Sequence, residues 1–230
     1  MKKKYDTLLF DVDDTLLDFG AAETQALGKL FNDLGIELDA EIEASYKEYN
    51  QSLWKKLEIG TITRKQLLAT RFPTFFKKYF SLDVDADVLT PKYMNYLSMG
   101  HEEVCGARRL LTSLKNSERK LYVVSNGNLE VQKRRLKDSG FGDYFEQIFI
   151  SEKMGVKKPD KEFFDVVERS IKGFVPERAV VIGDSLTSDI KGANNAGLDS
   201  VWFNPNGISN ETANEPTYEV KNLDEINDLV

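Results

Sequence analysis

The chain has 230 residues, of which 41% are hydrophobic and 30% are charged, a composition typical of a globular protein. Asp and Glu number 38, against 31 Lys and Arg, so the formal net charge is −7. A protein that binds nucleic acid without sequence preference needs a basic surface, so this balance argues against that class but leaves small anionic substrates open. No apolar run approaches the ~20 residues of a membrane helix. We therefore expect neither a nucleic-acid nor a membrane partner.

The chain contains one cysteine, Cys105, and one histidine, His101. A single cysteine excludes an internal disulfide and favours a reducing, cytoplasmic location. We expect Cys105 to be a small buried side chain and His101 to lie at the surface. One histidine also excludes a metal centre built from several histidines. The sequence leaves the oligomeric state open.

The first predicted element is a buried strand at Tyr5–Phe10, which is followed directly by Asp11, Asp13 and Asp14. Extended spacing places Asp11 and Asp13 on the same side of the chain. Two carboxylates about 4 Å apart near a protein surface repel each other by roughly 4 kcal/mol, and a bound divalent cation is the usual compensation. The alternative is a strand that leaves the core through a polar turn.

The next ~80 residues have helical periodicity and contain no convincing strand. Thr63 and Gln66 form a capping-box pattern at the start of one helix, and Pro73 is expected to kink or interrupt that helix. The aromatic residues here are expected to be bundle core. The predicted helices are Gly20–Leu34, Ala40–Ile59, Thr63 to about Phe80, and Asp85–Met99.

From His101 onward, predicted helices and strands alternate, which indicates a parallel, doubly wound sheet. The predicted helices are Val104–Lys115, Leu129–Ser139, Lys158 to about Ser170, and Ser188–Ala196. The predicted strands are Leu121–Val124, Gln147–Ile150, Ala179–Ile182 and Ser200–Phe203. The first strand belongs to the same sheet, so we predict an α/β core of residues 1–17 and 101–230 with an all-helical cap, residues 18–100, inserted after that strand.

In an open parallel sheet, functional groups collect beyond the carboxyl ends of the strands. The groups at or after the predicted strand ends are Asp11, Asp13, Ser125, Asn126, Lys158, Asp184 and Asp189. Each has a structural alternative. Ser125-Asn126-Gly127 is a common turn, Lys158 could be a solvated loop charge, and Asp189 could be a first-turn helix acid favoured by the helix dipole. Their occurrence in this order favours a single site.

The residue types fit phosphoryl transfer from a phosphate ester. One aspartate can attack phosphorus, and a second can protonate the leaving alcohol and then take a proton from water. Ser125 and the following N–H groups can bind phosphate oxygens, while Lys158 can offset developing negative charge. Asp184 completes an all-oxygen ligand set that suits Mg²⁺ better than zinc.

These motifs resemble those of the haloacid dehalogenase-like hydrolases. The match comprises DxDxT at Asp11–Thr15, the strand-terminal Ser125, Lys158 before Pro159, and GDSxxxDI at Gly183–Ile190. The resemblance covers essentially the whole chain. It implies a Rossmann-like core with strand order 5-4-1-2-3 and a helical cap after the first motif.

The same resemblance assigns a role to each matching position. Asp11 would be the nucleophile and Asp13 the acid/base, and Mg²⁺ would be held by Asp11, the Asp13 main-chain carbonyl and Asp184, with Asp189 assisting. Ser125 and Lys158 would hold the phosphate, and we place Asn126 with them as a substrate-binding residue. An acid/base at Asp13 separates phosphatases from the dehalogenases of the family. Asp14 stands where many of these phosphatases have Gly.

Overall similarity places the chain nearest to the pyrimidine 5′-nucleotidase branch. We therefore predict a Mg²⁺-dependent phosphatase of a small phosphorylated metabolite, a nucleoside 5′-monophosphate. The alternatives are a sugar-phosphate or phosphoglycolate phosphatase, a phosphomutase of the same family, and a binding protein without activity.

Overall fold

The computed structural model describes residues 5–230, so residues 1–4 of the predicted core lie outside the described part. The chain divides into two compact units. One comprises the described residues up to Phe19 together with His101–Val230, and the other comprises Gly20–Gly100. None of the helices within residues 5–230 combines the length and the apolar character that crossing a membrane requires.

The first unit is built on a six-stranded sheet in which every neighbouring pair is parallel. Its strands are β1 (Thr7–Phe10), β2 (Lys120–Ser125), β3 (Gln147–Ile150), β4 (Ala179–Gly183), β5 (Asp199–Phe203) and β6 (Tyr218–Val220). The spatial order is β3-β2-β1-β4-β5-β6, which confirms the expected order and adds β6 at the β5 edge. The sequence did not predict β6 because this strand has three residues, of which only Val220 is buried.

The sheet is buried on both faces, as its continuous apolar strands require. Successive side chains of β1 point to opposite faces, so Leu8 and Phe10 join one hydrophobic cluster and Leu9 joins another. β1 lies in the middle of the sheet, with Phe10 in register with Val123 of β2 and Ile182 of β4. The residues that follow these three strands therefore lie at one edge.

Helices connect the strands and form the second unit. They are α1 (Phe19–Asp33), α2 (Ala40–Glu58), α3 (Arg64–Phe80), α4 (Ala86–Leu97), α5 (Ala107–Asn116), α6 (Leu129–Asp138), α7 (Ser151–Met154), α8 (Lys161–Ser170) and α9 (Lys191–Ala196). Shorter 3₁₀ segments occur at Phe141–Tyr144, Pro176–Arg178 and Leu223–Asp228.

Two predicted helices differ from the observed ones in the first unit. The segment predicted as one helix, Ser188–Ala196, is a π-helical turn at Leu186–Ile190 followed by α9. The wide turn forms because the N–H of Ile190 donates to the carbonyl oxygen of Ser185, five residues back. α5 begins only at Ala107, since Gly106 before it has φ +90°, outside the helical region. Cys105, in the same segment, is exposed, so the expectation that it is buried was wrong.

In the second unit, Pro73 lies inside α3, which continues to Phe80 as predicted and is not interrupted at the proline. Proline removes one N–H donor, but this helix is held by buried aromatic side chains on either side of it, including Phe72, Phe75 and Phe76. The predicted capping box is confirmed. The N–H of Gln66 donates to Thr63 Oγ1 at 3.2 Å, and the N–H of Thr63 donates to Gln66 Oε1 at 2.8 Å.

Candidate active site

The DVDDT segment leaves β1 as a tight loop. The N–H of Asp11 still donates to the Ile182 carbonyl at 2.8 Å, so this buried aspartate extends the sheet by one residue. The loop then closes where the N–H of Leu17 donates to the Val12 carbonyl at 2.9 Å. Asp14 has φ +57°, in the left-handed region that favours glycine, and its Oδ1 accepts the N–H of Phe19 at the start of α1. Asp14 therefore has a structural role in the loop, at a backbone conformation that glycine would also adopt readily.

Lys158 joins three parts of the site. Its Nζ donates to Asp11 Oδ1 at 2.6 Å, to Asp189 Oδ1 at 2.6 Å and to the Val124 carbonyl at 2.8 Å. These contacts use all three protons of the ammonium group. The side chain is only 2% exposed, which excludes the solvated-charge alternative. A buried cation is therefore held between two carboxylates at the end of β1 and after β4.

Burial and the neighbouring charges shift the pKa values of both Lys158 and Asp11. Burial alone lowers the pKa of Lys158, but the charges of Asp11 and Asp189 outweigh it and raise that pKa above its usual value. Burial raises the pKa of Asp11 to about 8; the charge of Lys158 opposes this rise, and the charges of Asp189 and Asp13 add to it. A cation bound beside Asp11 would therefore favour the charged form of this carboxylate.

Three carboxylates converge at this edge. Asp11, Asp184 and Asp189 each offer an oxygen, and the three oxygens lie within 4.8 Å of one another. Burial, followed by the charges of Asp11 and Asp189, raises the pKa of Asp184 well above its usual value. Hard oxygen donors crowded in this way fit a hard divalent cation such as Mg²⁺. The Asp13 carboxylate is not in this group.

Backbone geometry fixes Asp184 and Asp189. The carbonyl of Asp184 accepts the indole N–H of Trp202 at 2.8 Å, and Asp189 Oδ2 accepts the N–H of Ser185 at 3.2 Å. Gly183, the last residue of β4, lets Asp189 approach, because a Cβ built at this glycine would lie 2.3 Å from Asp189 Cγ. The GDS segment thus has a steric reason for its glycine.

Ser125, at the end of β2, has its hydroxyl oriented by its neighbours. Its Oγ accepts the N–H of Gly127 at 3.0 Å and the Nε2–H of Gln132 at 3.1 Å. With both lone pairs occupied, the hydroxyl proton is left to donate. Asn126 has a different role in the structure: its Oδ1 accepts the N–H of Lys158 at 2.9 Å and its Nδ2 donates to the Lys158 carbonyl at 2.8 Å. The Asn126 amide therefore holds the main chain that presents Lys158.

Asp13 has two partners that the sequence analysis missed. Its Oδ2 accepts the Nε2–H of Gln132 at 2.6 Å, and its Oδ1 forms an ion pair with Arg135 Nη1. Both partners are buried polar residues on α6. They are spaced i, i+3, on the same helix face as the buried Val131 and Leu136. The sequence signal that could have identified them is a glutamine and an arginine on the apolar face of a predicted helix.

An open parallel sheet with aspartates, a lysine and a serine at the carboxyl edge of its central strands is the arrangement expected of an α/β-fold enzyme that hydrolyses phosphate esters. Comparison with known proteins agrees with this class. The profile of the haloacid dehalogenase-like hydrolases matches residues 5–197. The chain belongs to this family and is an enzyme of the phosphatase type.

Three relatives match over nearly their whole lengths. The chain is 42% identical to the pyrimidine 5′-nucleotidase PynA of Streptococcus pneumoniae, over 98% of this chain and 95% of that protein. It is 32% identical to the pyrimidine 5′-nucleotidase YjjG of Escherichia coli, over 99% and 98%. The crystal structure of the HAD-hydrolase YfnB from Bacillus subtilis bound to magnesium superimposes with a TM-score of 0.94 at 45% identity, covering 99% of each chain.

Proposed function

We propose that this protein is a Mg²⁺-dependent phosphatase of pyrimidine nucleoside 5′-monophosphates. The observation that carries the phosphatase chemistry is the placement of Asp11 at the end of the central strand, hydrogen-bonded to the buried Lys158 at 2.6 Å and beside Asp184 and Asp189. The choice of a pyrimidine nucleotide is supported by the names of PynA and YjjG, at 42% and 32% identity. The unit Gly20–Gly100 is assigned as the cap domain within this proposal.

Asp11 is the proposed nucleophile. Lys158 bonds Oδ1, so the other oxygen, Oδ2, attacks phosphorus and forms an aspartyl phosphate. The Lys158 charge and the Ser125 hydroxyl proton offset negative charge on the phosphate oxygens as it develops. Asn126 keeps Lys158 in place through its main chain, and direct contact of Asn126 with substrate stays a prediction.

Asp13 is the proposed acid/base. In the first step it gives a proton to the leaving ester oxygen as the P–O bond breaks. In the second step it takes a proton from water as water attacks phosphorus and the bond to Asp11 breaks. Its place two residues after the nucleophile, outside the group of three carboxylates, suits this separate task.

The proposed ligands of Mg²⁺ are the carboxylates of Asp11 and Asp184 and the main-chain carbonyl of Asp13, with Asp189 assisting. Asp189 also bonds Lys158, so it couples the metal ligands to the lysine. Bound Mg²⁺ would supply positive charge to the phosphate oxygens and reduce the repulsion between the carboxylates. A magnesium-bound crystal structure of YfnB supports this choice of metal.

A phosphate-release assay over a panel of phosphomonoesters, with and without Mg²⁺, tests the proposal. We expect kcat/KM for dUMP, dTMP and UMP to exceed that for hexose phosphates, triose phosphates and phosphoglycolate by at least about tenfold, or ~1.4 kcal/mol of transition-state binding. If a sugar phosphate or phosphoglycolate had the highest kcat/KM, the assignment as a nucleotidase would be refuted, whereas the assignment as a phosphatase would stand.

The remaining alternative, a phosphomutase, uses the same nucleophile but returns the phosphoryl group to a sugar. It would transfer phosphate to a sugar phosphate faster than it releases inorganic phosphate. A cytoplasmic location and the absence of nucleic-acid and membrane partners stay predictions.

A further inference from the structure

The buried face of α6 carries two polar side chains, Gln132 and Arg135. Gln132 is 1% exposed and Arg135 is 0% exposed. A buried guanidinium and a buried amide destabilise a protein unless they are hydrogen-bonded, and apolar residues at these positions would pack without that cost. Packing of the fold alone therefore does not explain why these two polar side chains are buried on α6.

Both side chains converge on Asp13. Arg135 Nη1 pairs with Oδ1, while Gln132 Nε2 donates to Oδ2 at 2.6 Å. Arg135 Nη1 also donates to Gln132 Oε1 at 3.2 Å, which fixes the orientation of the amide. Each carboxylate oxygen of Asp13 thus has its own donor, and the plane of the carboxylate is set although its side chain is 29% exposed.

The same amide reaches the phosphate-binding group. Gln132 Nε2 donates to Ser125 Oγ at 3.1 Å as well as to Asp13, so one nitrogen joins the two. Gly127 makes room for this arrangement, because a Cβ built there would lie 2.6 Å from Gln132 Nε2. The absence of a side chain at Gly127 therefore allows Gln132 to occupy this position.

We infer that Gln132 and Arg135 are positioning residues that orient the Asp13 carboxylate for proton transfer. The inference rests on the proposed function, in which Asp13 protonates the leaving oxygen and later deprotonates water. Both transfers need an Asp13 oxygen within hydrogen-bond reach of the reacting oxygen, and a small misplacement of such a group slows turnover strongly. The pair determines the orientation of Asp13, while Asp13 alone exchanges the proton.

The test separates the two chemical steps with 4-nitrophenyl phosphate. Its leaving group departs as a stable phenolate and needs no proton, so formation of the aspartyl phosphate does not depend on Asp13, whereas its hydrolysis does. For Gln132→Met and Arg135→Met we expect kcat to fall about 10- to 100-fold, with the phosphorylated fraction of Asp11 in quenched samples rising above that of the wild type. Mass spectrometry of the intact protein measures this fraction, and Asp13→Asn provides the reference for loss of the acid/base.

Arg134→Met is the matched control, since Arg134 is an exposed arginine on the same helix that pairs with Asp138. It should keep the wild-type rate and phosphorylated fraction. Circular dichroism establishes which variants fold, and Gln132→Met, which changes no charge, carries the test if Arg135→Met does not. Arg135→Lys, which keeps the charge, should recover part of the lost rate.

An unchanged phosphorylated fraction in the folded variants would overturn the inference. So would a loss in which both steps slow equally, because that is the result of general structural damage. A wild-type protein that released no phosphate from any ester would instead refute the proposed function.

Discussion

Replacing the proposed nucleophile with its neutral isostere, Asp11→Asn, should abolish turnover and stabilise the protein in the absence of metal. The residue Asp11 is 6% exposed, and burial raises its pKa to about 8 from an ordinary value near 3.8. An asparagine resembles the protonated carboxyl group and can still accept the hydrogen bond from Lys158. The substitution therefore removes a charge that the folded protein disfavours and keeps the shape of the site.

The magnitude follows from linkage between proton binding and folding. Because the folded state holds the Asp11 proton more tightly than the unfolded state, wild-type stability falls as pH rises from about 4 to about 8. Asp11→Asn lacks this titration. With 1.36 kcal/mol per pKa unit, the variant should gain roughly 2 kcal/mol over the wild type at pH 5 and roughly 4 kcal/mol at pH 7, and the gain should level off above pH 8.

Urea unfolding in excess chelator measures this gain. The chain has two tryptophans, so in a Trp54→Phe background the fluorescence of Trp202 on β5 reports only the sheet unit. Asp143→Asn, at an exposed aspartate, is the control and should change stability little at either pH. Equal stability of Asp11→Asn and the wild type, or a gain that does not grow with pH, would refute the desolvation argument. Near-wild-type turnover by the variant would refute the covalent mechanism.

Three further predictions concern the metal ligands, Gly183 and the helix N-cap at Thr63. Chelation should abolish activity and Mg²⁺ should restore it, whereas Ca²⁺ should inhibit because its bonds to the ligands are longer and its coordination is less regular. Asp184→Asn should raise the Mg²⁺ concentration needed for half-maximal activity at least about tenfold. Full activity in excess chelator would contradict the metal requirement. Gly183→Ala should destabilise the sheet unit by about 1–3 kcal/mol in urea unfolding, because its Cβ would lie 2.3 Å from Asp189 Cγ, and wild-type stability would show that the site can relax. Thr63→Ala should cost about 1 kcal/mol in unfolding of the helical unit followed by Trp54 fluorescence, with an unchanged Mg²⁺ requirement.

The sequence was sufficient for the features that depend on local order along the chain. Strand periodicity and alternation with helices determined a parallel sheet, and parallel strands place their carboxyl ends at one edge. Asp11, Ser125, Lys158 and Asp184 could therefore be assigned to one site before any distance was known. The helix N-cap at Thr63 was predictable for the same reason, since its partner Gln66 lies only three positions away.

Where the local sequence signal was weak, tertiary packing determined the secondary structure. β6 is too short to have a pattern and forms because β5 offers it an edge in the sheet. Pro73 predicts a kink or an interruption, and α3 continues through it without interruption because its aromatic side chains are buried. At Leu186–Ile190 a π-turn replaces the first turn of the predicted helix, since the loop after β4 must place Asp189 against Gly183.

Only the tertiary structure could decide the surroundings of Asp13. Gln132 and Arg135 lie 119 and 122 residues away from it along the chain, and their helix pattern says that this face is buried without saying against what. Their contacts depend on the rotation of α6 about its axis and on the register of β2 beside β1, which no local pattern specifies. A buried polar side chain has a partner as a matter of energy, and the fold of the whole chain selects which residue that partner is.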